Sequence, residues 1–232
     1  MWTDLVQTPL FGIALTLCIY LLAQMVYRRL KSVWANPVLV SIVTIIVLLK
    51  VTATEYQDYA RGGDMILFLL GPSVVALAVP LYQRRQEVWQ RKRPIMLGIF
   101  AGSLASIVSA CGLAWILGGS HDVILSLAPK SVTTPIAISI VDKIGGIAPL
   151  TAALVVLTGC LGAVCGPEFC RLIGVTSPVS TGLAVGTAAH GIGTARMLEV
   201  DRLAGAVAGL AIGLNGLVTT FLLPLLMIWF RF

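Results

Sequence analysis

The sequence predicts an all-α polytopic membrane protein with about six full spans and two broken or re-entrant segments of opposite orientation. Three observations predict it. Hydrophobic residues make up 58% of the 232 residues and charged residues only 11%, with a mean hydropathy of +0.96. A soluble domain is nearer 45–50% apolar and about 25% charged. The apolar residues also fall into runs of roughly 20, the length that crosses a hydrocarbon core. Finally, the short loops between the runs alternate between basic and non-basic, the pattern that sets membrane orientation.

The charge balance is read by place. Sixteen Lys and Arg against ten Asp and Glu give a net charge of +6. The basic residues sit in short loops rather than along one stripe, so nucleic acid is not an expected partner. The lipid bilayer is. Cys18, Cys111, Cys160, Cys165 and Cys170 lie in or beside apolar runs. Their spacing matches no metal site, so no metal and no cofactor are expected, and they read as small buried hydrophobes. Met1–Gln7 lacks a basic n-region and does not read as a cleavable signal.

The first run, Pro9–Val26, ends at Arg28, Arg29 and Lys31. The second, Pro37–Ala53, ends at Glu55, Asp58, Arg61 and Asp64. The third, Met65–Tyr82, ends at Arg84, Arg85, Arg91, Lys92 and Arg93, with Pro72 and Pro80 expected to kink it. The fourth, Pro94–Leu117, ends at Gly118-Gly119-Ser120-His121-Asp122. The loops at 28–31 and 84–93 are therefore assigned to the cytoplasm, and those at 54–64 and 118–122 to the outside.

In the second half, Ile147–Cys165 and Leu203–Phe230 read as clean spans. With Arg171, Arg196 and Arg202 cytoplasmic, 147–165 runs inward and 203–230 outward. Segments 123–143 and 177–197 must then each enter and leave on one side, one from outside and one from inside. Irregular backbone at membrane depth survives only where protein or water satisfies it. Such a pair, in opposite senses, is the usual sequence pointer to an inverted-repeat carrier. Gly98-x3-Gly102, Gly162-x3-Gly166, Gly182-x3-Gly186 and the Gly205, Gly209, Gly213 series predict close helix packing.

Two stretches could carry chemistry. In Pro129-Lys130-Ser131-Val132-Thr133-Thr134-Pro135, each proline removes a backbone donor and disfavours helix just before it. Three hydroxyls and one ammonium sit in the gap, beside a half-helix start suited to an anion. In a helical turn, Lys130, Thr133 and Thr134 would share one face. The alternative is that Lys130 snorkels to the outer surface. The second stretch is Gly186-Thr187-Ala188-Ala189-His190-Gly191-Ile192-Gly193-Thr194-Ala195-Arg196. His190 is an intramembrane titratable residue, open to proton transfer or to a packed bond with a carbonyl. Asn215, mid-span, is placed to bond across helices. No nucleotide loop, catalytic triad or zinc spacing is present, so an enzyme is not expected.

These two stretches, with Gly145-Gly146-Ile147, Thr8-Pro9, Asn36-Pro37, Gly62-Gly63-Asp64 and Val79-Pro80-Leu81-Tyr82, resemble the LrgB/CidB family over nearly the whole chain. Ala189 departs from it, standing where relatives often carry Ser or Gly. The resemblance implies a single LrgB-like domain over 1–232 in the bacterial inner membrane, with a small LrgA/CidA-type membrane partner and homo-oligomers. It implies one of two functions. The first is a carrier for small monocarboxylates of the pyruvate, glycolate or glycerate type, coupled to an ion or proton. The second is a holin/antiholin-like regulator of murein hydrolases and lysis. For the carrier, the expected substrate-binding residues are Lys130, Ser131, Thr133, Thr134, Thr187, His190, Gly191 and Thr194.

Overall fold

A computed structural model describes residues 6–30, 36–76 and 78–230. Lys31, in the first basic loop, and Met1–Leu5 lie outside the described residues. Among those described, every regular element is α-helical. Packing divides the chain into two compact units, Met1–Ala76 and Leu77–Phe232.

The first unit holds α1 (Pro9–Leu30), α2 (Pro37–Val51), α3 (Tyr56–Phe68) and α4 (Leu70–Ala76). Asn36 starts α2 because its side chain accepts from the N–H groups of Val38 and Leu39, at 2.9 and 3.3 Å, with Pro37 following. Helices α1 and α3 cross at Gly12 and Gly62. Each glycine faces the other's backbone, so a Cβ on either would strike it.

The second unit holds α5 (Ala78–Gln83), α6 (Arg85–Gln90), α7 (Lys92–Ile116), α8 (His121–Leu127), α9 (Thr134–Ile144), α10 (Ala148–Leu172), α11 (Pro178–Val200) and α12 (Arg202–Phe230). Among the described residues, four helices are long and apolar enough to cross a bilayer: α1, α7, α10 and α12 over Arg202–Met227. At 25 residues, α7 and α10 are each about 38 Å long against a core of about 30 Å. Leu113, Leu161, Leu217 and Phe221 are all more than half exposed, a surface that lipid covers and water would not tolerate.

The six-span expectation is met differently in two places. Helix α2 has only 15 residues. The third expected run, Met65–Tyr82, is not one helix: it falls on the end of α3, on α4 and on α5. Pro72 cannot donate to the Phe68 carbonyl, and α3 ends at Phe68.

The two irregular segments are both chain reversals. In the first, α8 lies antiparallel to α7: Cys111 Sγ is 3.9 Å from the Ile124 carbonyl, and Ser106 Oγ is 2.5 Å from Ser131 Oγ. The chain turns over 128–133, and α9 returns. Gly145, at φ +92°, ends α9 in the left-handed region. The Ile147 N–H then donates to Ser126 Oγ at 2.8 Å, and Thr151 Oγ1 donates to the Ser126 carbonyl at 3.0 Å. Ile136 lies against Gly216 and Ile140 packs with Leu223, so α9 runs parallel to α12 and α7, back toward the end at which α8 began.

In the second, α11 reverses at His190, whose φ of 40° and ψ of −134° are non-helical. On its first half, Gly166 faces Val185 and Gly162 faces Ala189, antiparallel to α10. Gly182 faces the Ala204 backbone and Gly186 the Ala208 backbone, parallel to α12. On the second half, Gly205 of α12 faces Leu198, and Gly193 comes back beside Val185. The hairpin thus starts and finishes at the end where α12 begins, opposite to the α8–α9 hairpin. Two re-entrant hairpins in opposite senses are what the loop charges predict.

Candidate functional site

The two hairpin tips meet on one side chain. Asn215 is thirteen residues into α12, about 20 Å along it, and is 1% exposed. Its Nδ2 donates to the Ser131 carbonyl at 2.9 Å and to the Thr187 carbonyl at 3.1 Å. Ser131 belongs to the first tip and Thr187 to the last turn before the second. Both carbonyls are orphans of the kind a broken helix leaves at membrane depth. Ser103 Oγ, on α7, lies 2.5 Å from Asn215 Oδ1 and closes the network from a third helix.

Around this tie lies the first sequence-predicted cluster. Lys130 Nζ donates to Ser106 Oγ at 3.2 Å and to Ser131 Oγ at 3.4 Å. Lys130 is half-buried, and among the described residues no carboxylate pairs with it. The charge is held by hydroxyls that offer lone pairs but no compensating charge. Its position is set by the turns Lys130 N–H to the Leu127 carbonyl, 3.1 Å, and Val132 N–H to the Pro129 carbonyl, 3.2 Å.

A cavity of about 470 Å³ runs between α7 and the first half of α11. Arg91, Pro94 and Ser180 line one end; Ser106 and Thr187 line the other. Ser106 and Thr187 therefore form its floor, and Ser106 is the residue whose hydroxyl also touches Lys130. Thr187 is 5% exposed, and its Oγ1 has no hydrogen-bond partner. A buried hydroxyl without a partner costs free energy unless a ligand or water completes it. Gly98 and Gly102 keep α7 close here, for a Cβ at either would press on Leu183 or Thr187.

The other expected residues are placed apart from the cavity. Thr133 is the N-cap of α9 and Thr134 its first residue, both half-buried. The helical face shared by Lys130, Thr133 and Thr134 does not form, because 128–133 turns under Pro129 and Pro135 instead of coiling. His190 Nε2 lies 2.9 Å from the Val155 carbonyl on α10. A carbonyl only accepts, so Nε2 carries the hydrogen. The ring packs on Gly159, away from the cavity lining. Thr194 is buried with an unpartnered Oγ1, and Gly191 is exposed.

Ser103 and Ser106 were not singled out by the sequence. They sit in an unbroken apolar span, where serine ordinarily bonds its own helix, as Ser103 Oγ also does with the Ile99 carbonyl at 2.7 Å. The usable signal was their i, i+3 spacing on the face that carries Gly102.

The uncharacterized protein YxaC of Bacillus subtilis is 35% identical, with 94% of each chain covered. YwbG of the same organism is 34% identical over 92% of this chain and 95% of its own. The holin-like protein CidB of Staphylococcus epidermidis is 30% identical over 94% of this chain and 95% of its own. No solved structure matches. The family model described as LrgB-like family matches residues 16–229. With four membrane-length apolar helices and these relatives, the chain is a multi-pass bacterial membrane protein and belongs to the LrgB-like family.

Proposed function

We propose that this protein carries small monocarboxylates of the pyruvate, glycolate or glycerate type across the inner membrane, exposing one site alternately to either side. The observation that carries this reading is the floor of the cavity. An ammonium without a carboxylate partner, Lys130, bonds the Ser106 hydroxyl, and Thr187, which lines the same end, carries an orphan hydroxyl. An unpaired charge at membrane depth is expensive and marks a substrate path. A carboxylate at the floor would neutralise Lys130 and accept from Thr187, while a 2-hydroxy or 2-oxo oxygen would suit Ser106. The volume lies in the range of small-molecule sites. Opposed hairpins meeting mid-membrane support alternation, since each can rock against fixed spans. Coupling to an ion or proton, a small LrgA/CidA-type partner and a homo-oligomeric assembly belong to the same reading.

The name of the staphylococcal relative favours a second reading, a holin-like protein acting in lysis. Counterflow separates the two. Proteoliposomes preloaded with unlabelled pyruvate or glycolate should transiently accumulate the labelled acid above the outside concentration. A pore equilibrates without overshoot and passes neutral solutes of the same size.

A further inference from the structure

The mouth of the cavity has its own electrostatic character. Among the described residues, Arg91 is the single charged residue on the lining, and no carboxylate lines any part of it. The nearest acid on α6, Glu87, is committed to Arg84 at 2.7 Å. Among the described residues no carboxylate pairs with Arg91, which is exposed. Helix α7 begins one residue later, at Lys92, and α11 begins at Pro178, beside Val179 and Ser180 of the same mouth. The start of α11 adds roughly half a positive charge from its first N–H groups, whereas at Arg91 the start of α7 is set against the carboxyl end of α6, which finishes at Gln90. From Arg91 to Ser106 is fifteen residues of α7, about 22 Å. The passage therefore has a positive charge at its entrance, low-dielectric walls between, and Lys130 behind its floor.

We propose that Arg91 is the anion-gathering residue of this mouth, raising the local concentration of small carboxylates and excluding cations before they reach the floor. The proposal rests on the carrier reading for its substrate, though not for its electrostatics. A cleft of one sign, walled by apolar protein, concentrates counter-ions tenfold or more. Arg91 does so without touching the bound ligand, so it acts on entry from the basic side alone. It sets half-saturation on that side and leaves the maximum rate alone.

The test uses a cysteine at Ser180, which is exposed and lines the mouth, in the full chain with its five native cysteines replaced. Modification rates are compared for an anionic and a cationic thiosulfonate of similar size. The anionic reagent should react faster. Arg91→Gln should lower the anion-to-cation rate ratio by about tenfold, Arg91→Lys should keep it, and about 1 M salt should abolish the difference. In inside-out and right-side-out vesicles, Arg91→Gln should raise half-saturation for the labelled acid at the basic face only. An unchanged rate ratio in Arg91→Gln overturns the proposal. A shifted ratio with non-saturable flux in the unsubstituted protein sinks the carrier reading and leaves the mouth's role standing.

Discussion

Thr187→Val separates a binding hydroxyl from a packing one. The two side chains have nearly the same shape, and Thr187 is 5% exposed with its hydroxyl unpartnered. Leaving a buried polar group unsatisfied costs roughly 1–3 kcal/mol. Removing it should therefore leave the ligand-free protein as stable as before, or more stable by about 1 kcal/mol. A hydrogen bond from this hydroxyl to a carboxylate contributes roughly 1.5–3 kcal/mol. Losing it should raise half-saturation by about 10- to 150-fold. The opposite signs are the point, because a purely structural threonine would lose stability and affinity together. Thermal midpoints in detergent, without ligand, give the first quantity. Concentration dependence of uptake, normalised to protein in the membrane, gives the second. Wild-type half-saturation in Thr187→Val, or a lowered midpoint without ligand, would refute the assignment of this hydroxyl to the substrate.

The remaining predictions concern the frame around the site. Asn215→Leu strips the Ser131 and Thr187 carbonyls of their shared donor; it should cost about 1–3 kcal/mol and be non-additive with Ser103→Ala in a double-mutant cycle of thermal stability. At His190, glycine should be better tolerated than alanine by roughly 1–3 kcal/mol, the reverse of an ordinary helix, because φ is 40° there; equal midpoints would deny the strain. His190→Gln keeps a donor for the Val155 carbonyl and should keep uptake and its pH profile; a flattened profile would instead give His190 the coupling proton. Cysteines at Asp142 and Ser180, both exposed, should be labelled by impermeant reagent from opposite sides; labelling from one side would end the opposed-hairpin arrangement.

The hairpins were legible because charge and breakers agree. Basic residues flank 177–197 at Arg171, Arg196 and Arg202, whereas 123–143 returns to the side of His121 and Asp122, and Pro129 and Pro135 mark the first tip. Lys130, Ser131 and Thr187 were legible as polar groups with no reason to be in lipid. What the sequence could not give was which groups meet. Ser106 reaches Lys130 across 24 positions, and Asn215 reaches Ser131 across 84; no local pattern encodes either pairing. The sequence leaves His190 open between proton transfer and a packed carbonyl bond. Its backbone at φ 40° and its bond to Val155 favour the second, with the ring as the pin of a reversal. Helical spacing groups Thr133 and Thr134 with Lys130, and it fails where the chain is turning.

The central claim is that a small carboxylate is held at the cavity floor against Lys130. The most direct measurement is saturation of labelled pyruvate or glycolate uptake by reconstituted wild type and Lys130→Met, with equal protein in the membrane. Saturable uptake in the wild type and at least tenfold weaker half-saturation in Lys130→Met are predicted, the loss of one charged hydrogen-bond partner. Equal half-saturation and rate in the two proteins, or uptake that never saturates in either, would contradict it.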